Sequence, residues 1–275
     1  SLDMFILDPG SPEDEEAARY GYLRHNLIDF GSSLGSAAVR PHGPRHGQEN
    51  ELDLSVIGKR FLGLGFYRKP WQTESDTVYP AEAGYFTSKN FDPGDWKPNI
   101  PNPAFDNVTV RDGYWGAKLV MSFTDPQLFA AIEAGQYSNP EAARYILRAL
   151  QERRDLTGRH WFAEVSPLDD PRIEGGSLVF DDLWIRYFGG LAQYRWEFDW
   201  DAPDPDLEAE GESTVQSIAI PRPEGAVTVD EDDPEDALAR LRVWKVQEDG
   251  DRAPRPATFR LQWNGNAWQL VGVRY

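Results

Sequence analysis

The sequence predicts an α+β protein, and three observations carry that prediction. Aromatic and charged residues alternate strictly over Tyr194–Trp200, an apolar stripe at helical spacing runs through Ala143, Ile146, Leu147 and Leu150, and a strand pair opens the chain. A period of two sends successive side chains to opposite faces of a strand, whereas a spacing of three and four gathers them on one side of a helix.

Taken in chain order, Leu2, Met4 and Ile6 alternate with their neighbours, a polar loop follows, and Tyr20, Tyr22, Leu23, Leu27 and Ile28 bring the chain back. This predicts a β-hairpin over residues 1–28 that ends at Asp29-Phe30-Gly31, where glycine permits a sharp backbone turn. Residues 32–116 are rich in Gly, Pro and aromatics with little sustained period. Residues 91–98 and 100–103 are expected to be extended loop, because proline disfavours helix in the residue before it. So long an irregular stretch is functional or pinned by its aromatics, and pinning is the expectation here. The helical part is expected over 117–165. Thr124 with Gln127 forms a capping-box start and Gly135 a stop. A second helix opens with Asn139 as N-cap and Pro140 at the first helical position, and it is expected to end near Arg153-Arg154, basic residues that suit a helix C-terminus. A third short segment carries Trp161, Phe162 and Val165.

From Tyr194 onward the period is that of strands. Leu241, Val243 and Lys245 fall on one side of a further strand, with Arg242, Trp244 and Val246 on the other. Phe259, Leu261 and Trp263 lead into Asn264-Gly265-Asn266 and then Trp268, Leu270 and Val271, a hairpin with a favoured turn chemistry. Residues 201–213 and 222–236, rich in Pro, Glu and Asp, are expected to be connectors. Residues 191–275 thus read as a small antiparallel β module, with a larger domain over 1–190.

Composition sets outer bounds. A chain of 275 residues with 40% hydrophobic and 13% aromatic content can bury a substantial core. No stretch approaches the roughly 18 apolar residues that a membrane helix needs, so no membrane span is expected. The absence of cysteine excludes disulfides, thiolate zinc sites and cysteine nucleophiles. A net charge of −18 argues against unaided nucleic-acid binding, which needs cations to displace the counterions of phosphate, and reads most simply as a solvated, solubilising surface. The chain does not open on Met, which leaves room for a removed export signal or for processing at Ser1; an exported or periplasmic location is weighed ahead of a cytoplasmic one.

One motif carries chemistry. Asp29 follows the apolar strand end Leu27-Ile28 and precedes Phe30-Gly31. A carboxylate at such a strand end can hold the magnesium that bridges nucleotide phosphates. The run Ile28-Asp29-Phe30-Gly31 resembles the corresponding segment of phosphoinositide-type and other atypical kinases. More broadly, the chain resembles a bacterial family of uncharacterised activity with a kinase-like core, through Ser1–Met4, His25–Ser36, Trp96–Phe105, Trp115–Lys118 and Arg153–Arg159. The matching stretches span residues 1–185. The resemblance implies the C-terminal lobe of a kinase-like fold, with a hairpin, long aromatic loops and helices, followed by the β module. It implies Mg and ATP as cofactors and Asp29 as the metal ligand. It also implies that the catalytic loop and the nucleotide lobe lie upstream of Ser1, on a preceding fragment of the same precursor that would be a partner of this chain.

Other residues are weighed beside it. Arg45 and Glu49 lie where kinases place an activation segment; Arg45 could meet phosphate and Glu49 could join the metal site, against the plainer reading of a solvated loop. His42 and His46 sit four apart, but Gly43 and Pro44 forbid the helix that would align them as metal ligands. His160, among Arg159, Trp161 and Phe162, reads as a packed or surface histidine. Asp169-Asp170 and Asp181-Asp182 are not natural dyads, since adjacent strand residues face opposite sides, and they are expected to mark turns. The functional expectation is a fragment of an atypical kinase-like phosphotransferase. The alternative is a non-catalytic structural or interaction protein, an oligomer in itself or with a partner, on a degenerate kinase-like scaffold.

Overall fold

The computed structural model describes residues 3–8, 22–27, 33–37, 40–50, 54–64, 66–73, 79, 81–200, 207–223 and 238–275. In chain order the elements are β1 (Asp3–Asp8), β2 (Tyr22–Leu27), β3 (Ser36–Ala37), β4 (Arg40–Pro41), α1 (Leu54–Leu62), α2 (Pro70–Thr73), α3 (Pro103–Asp106), α4 (Val110–Met121), α5 (Asp125–Ala134) and α6 (Pro140–Ala163). There follow β5 (Leu168–Glu174), β6 (Ser177–Asp182), α7 (Leu183–Phe188), β7 (Tyr194–Trp200), β8 (Leu207–Ser213), β9 (Ser217–Ala219), β10 (Leu238–Lys245), β11 (Ala257–Trp263) and β12 (Trp268–Arg274). The chain is a mixed α and β protein with antiparallel sheets. It divides into two compact units: Ser1–Phe105 with Asp125–Arg153, and Asp106–Thr124 with Arg154–Tyr275.

In the first unit β1 and β2 pair antiparallel, with Asp3 opposite Leu27 and Asp8 opposite Tyr22. The two expected strands are therefore present, while their connecting loop and Asp29-Phe30-Gly31 lie outside the described residues. The segment expected to be irregular contains a nine-residue helix, α1. Its signal was faint because Gly58 interrupts it and because it buries little of its apolar surface; Val56 is inside, whereas Leu54, Ile57 and Phe61 are exposed. Among its described residues, part of the long segment is held by aromatics, at Phe86 and Phe91. The Arg153 guanidinium lies 4.3 Å from the Phe86 ring and 4.6 Å from Phe91, and its Nε donates to the Thr87 carbonyl at 2.8 Å. That burial brings the Arg153 pKa down to about 10. Ala83, Ile132 and Ile146 form the small core of the unit, with Leu34, Tyr79 and Phe86 packed on it.

Helix α5 occupies the expected stretch ahead of Gly135. Helix α6 starts as expected, with the Asn139 Oδ1 accepting from the backbone N–H groups of Glu141 (3.0 Å) and Ala142 (3.4 Å). It does not end near Arg154 but runs on to Ala163, so the separate third segment is its last turns. Residues 154–163 belong to the second unit, where glycines let α4 approach closely. A Cβ on Gly158 would lie 2.5 Å from the Met121 sulfur, and one on Gly113 would lie 2.3 Å from the Trp161 ring. Helix α4 is an unanticipated element, although its capping box was in the sequence. The Thr109 side chain accepts from the Asp112 N–H at 3.3 Å, and the Asp112 carboxylate accepts from the Thr109 N–H at 2.9 Å.

The second unit holds a five-stranded sheet in the order β12-β11-β10-β7-β8 and a three-stranded sheet β5-β6-β9. Their apolar residues share one core, with Leu168, Leu178 and Phe180 meeting Phe198, Leu241 and Phe259. Trp268 stands 4.8 Å from Trp200 and 5.1 Å from Trp263, ring centre to ring centre, and its indole N–H donates to the Pro221 carbonyl at 2.8 Å. The expected β11–β12 hairpin forms around residues 264–267, with Gly265 at φ +89° and the Asn264 Oδ1 accepting from the N–H groups of Asn266 and Ala267. Residues 207–213 are a strand rather than a connector. Its acidic composition reads as linker but suits an edge strand, where charge discourages further pairing, and Gly211 leaves room for the Trp196 ring, 2.8 Å from where a Cβ would stand.

Candidate functional site

Three charged side chains are buried among the described residues: Glu49 in the first unit, Asp182 and Lys245 in the second. Burying a charge is costly unless it is paired, so each marks a place where the fold has built something specific.

Glu49 is 2% exposed, so it does not lie in a solvated loop. The loop that carries it is tied down by several bonds. The Lys97 N–H donates to the Gly47 carbonyl at 3.1 Å, the Gln48 amide donates to the Asn90 carbonyl at 3.1 Å, and Gly47, at φ +81°, lets Trp96 close over it. The Glu49 carboxylate then meets three cations: Arg45 Nε at 3.0 Å, Arg60 Nη2 at 3.5 Å and Lys69 Nζ at 3.6 Å. Arg60 comes from α1, the helix that the sequence did not disclose. Arg45 and Glu49 are thus brought together with two further basic residues, Arg60 and Lys69, that no local pattern singles out. Arg45 and Arg60 remain half-exposed, and the set carries an excess of two positive charges. With three cations within 3.6 Å, Glu49 fits an organiser of basic groups better than a ligand of a metal ion.

His42 and His46, in the same loop, stack with ring centres 3.7 Å apart. Although His46 as a residue stays exposed, desolvation of its ring lowers its pKa below 6.5, with His42 and Arg153 adding to the effect and a hydrogen bond with Asn99 opposing it. Stacked rings of this kind are not splayed around a common ion, and among the described residues no three His, Asp or Glu side chains gather as a metal site. His160 packs edge-on against Trp161, with ring centres 4.7 Å apart. Asp29, the expected metal ligand, lies outside the described residues; β2 ends two positions before it, at Leu27.

In the second unit the alternation of β10 places Lys245 on the inner face, with Leu241 and Val243, as the sequence predicts. Its ammonium donates to the Asp182 carboxylate at 2.7 Å and to the Leu191 carbonyl at 3.4 Å. Asp182 also accepts from the Tyr194 hydroxyl at 2.8 Å and, as N-cap of α7, from the Ile185 N–H at 3.1 Å. Burial and then the Asp182 charge push the Tyr194 pKa well above 10, so that hydroxyl stays a donor. Asp181 turns the other way, to Arg186, as adjacent strand residues must. The expectation that both aspartate pairs simply mark turns therefore fails for Asp182, which caps a helix inside the core. Asp169, in β5, pairs with Lys118 at 2.5 Å. Beside Lys245 opens a cavity of about 590 Å³, walled by Phe162, Val165, Trp184 and Leu191. Sequence reading found the strand face of Lys245 but not its partner, because the two are 63 positions apart.

Among the described residues no helix is long and apolar enough to cross a membrane. Comparison with models of protein families gives no match to this chain, and comparison with curated proteins gives none either.

Proposed function

We propose that this chain supplies the C-terminal part of a kinase-like phosphotransferase that works with Mg and ATP. The observation that carries the reading is the set of cations around Glu49. In a protein of net charge −18, approach of a polyphosphate needs a local reversal of sign, and Arg45, Arg60 and Lys69 supply one. Guanidinium groups match phosphate oxygens in pairs, and Glu49 holds two of them in place from the buried side. The β1–β2 pairing adds support, since the resemblance implies a strand pair ahead of Asp29 and β2 ends at Leu27, two positions before it. Magnesium when bound would offset charge on the phosphates, and Asp29 is the residue assigned to hold it. The catalytic loop and nucleotide lobe are assigned to a segment upstream of Ser1. The test is calorimetric titration of Mg–ATP into the complete protein, wild type and Asp29→Ala. The reading predicts saturable binding that the substitution abolishes; equal affinity in the two proteins, or none in either, contradicts it.

A second reading, an interaction protein without catalysis, is favoured by one observation. Leu54, Phe61, Leu62, Leu64 and Phe66, on α1 and the turn after it, are all at least 80% exposed. An apolar surface of that kind marks a contact with another protein. A second copy of the chain is the simplest occupant, and light scattering tests it: a dimer that Phe61→Ser with Leu64→Ser converts to monomer supports this reading, and a monodisperse wild-type monomer counts against it.

A further inference from the structure

We infer that the cavity beside Lys245 is a binding site for a small molecule with an apolar body and a protonated amine. The inference is independent of the nucleotide reading, because it rests on the second unit alone.

Size comes first. A volume of about 590 Å³ lies within the range of small-molecule sites, which run from about 300 to 1,000 Å³. The walls supplied by Phe162, Val165 and Trp184 are apolar and aromatic, which suits a planar or branched hydrocarbon body. The mouth is shaped as well. Leu191 lines it while remaining 76% exposed, on a loop in which Gly189 (φ +76°) and Gly190 (φ +106°) adopt backbone angles that other residues rarely take. A leucine held in water by two such glycines gains contact when an apolar group enters.

Charge then decides the head group. Lys245 would ordinarily invite an anion, but its ammonium is already neutralised by Asp182 at 2.7 Å, and that carboxylate is held by Tyr194 and the Ile185 N–H besides. The floor of the cavity is therefore polar and close to neutral. Glu248 and Asp249 also line it, both exposed, and among the described residues neither forms an ion pair. Among the described residues lining the cavity, the uncompensated charge is thus negative, on exposed side chains. A ligand that places its ring or branched chain against Trp184 and Leu191 would carry its amine to these two carboxylates, and an anionic ligand of the same shape would be repelled by them.

Tryptamine, 3-methylindole and indole-3-acetate serve as probes, since they share one ring system and differ in charge. In equilibrium dialysis with the full chain, tryptamine is expected to bind saturably and at least about tenfold more tightly than indole-3-acetate. Glu248→Gln with Asp249→Asn is expected to weaken tryptamine severalfold and leave 3-methylindole unchanged. Leu191→Arg, a substitution at an exposed position whose folding is checked by circular dichroism, is expected to abolish binding of tryptamine and 3-methylindole. Absence of saturable tryptamine binding, equal affinity for the acid, or retention of tryptamine by Leu191→Arg overturns the inference.

Discussion

Two buried carboxylates, one in each unit, solve the same electrostatic problem in different ways. Asp182 is enclosed with its partners: Lys245 is itself 6% exposed, Tyr194 is buried, and every contact is a hydrogen bond of 2.7 to 3.1 Å. Glu49 is as deeply buried, but its cations stand 3.0 to 3.6 Å away, and two of them, Arg45 and Arg60, are half-exposed. The first arrangement is closed and neutral, so it has nothing to offer a ligand of either sign. The second is open and positively charged on its outer side. Burial of an acid alone therefore says little about function; where the counter-charges point decides whether the group fixes the fold or prepares a surface for an anion.

The largest expected effect tests the closed half of that contrast. Asp182→Ala or Lys245→Ala should each destabilise the protein by about 3–5 kcal/mol in denaturant unfolding, because the survivor is left as an unpaired buried charge. Replacing both, as Asp182→Leu with Lys245→Met, should recover most of the loss, and a double variant no better than the singles would break the account of a closed neutral pair. The next effect is smaller and concerns the open half. Glu49→Gln should cost about 1–3 kcal/mol, since Arg45, Arg60 and Lys69 remain partly hydrated without it.

The smallest effects lie at opposite ends of the pH scale. His46 has a lowered pKa in the folded protein, so its contribution is present above about pH 6.5, the unfolded value, and is lost as pH falls through the folded one. Tyr275 has its pKa raised to about 12, chiefly by burial and then by Asp169, so its contribution is present below about pH 10 and is lost as pH rises toward 12. Thermal unfolding followed against pH should show a smaller acid loss in His46→Gln and a smaller alkaline loss in Tyr275→Phe than in the wild type. If His46→Gln leaves the acid limb unchanged, the desolvated histidine is not its source.

Much of the fold was legible where a single local rule governs a segment. The alternation of Tyr194–Trp200 and of β10 placed Lys245 inside, Asn264-Gly265-Asn266 marked a turn, and Asn139-Pro140 marked a helix start. What was missed depends on distant partners. Helix α6 continues through Gly158 because Met121 packs there, and β8 is a strand because Trp196 lies over Gly211, contacts that no window of neighbouring residues contains. The candidate site divides in the same way. Arg45 and Glu49, four apart, were visible as a pair, whereas Arg60 and Lys69 join them only through α1 and the loop beyond it.

The basic set around Glu49 is the feature on which the phosphotransferase reading stands, and calorimetric titration of magnesium-free pyrophosphate tests it without involving Asp29. The account predicts saturable binding by the wild type and at least about tenfold weaker binding by Arg45→Ala with Arg60→Ala. Pyrophosphate affinity that is the same in both proteins, or absent from both, would contradict it.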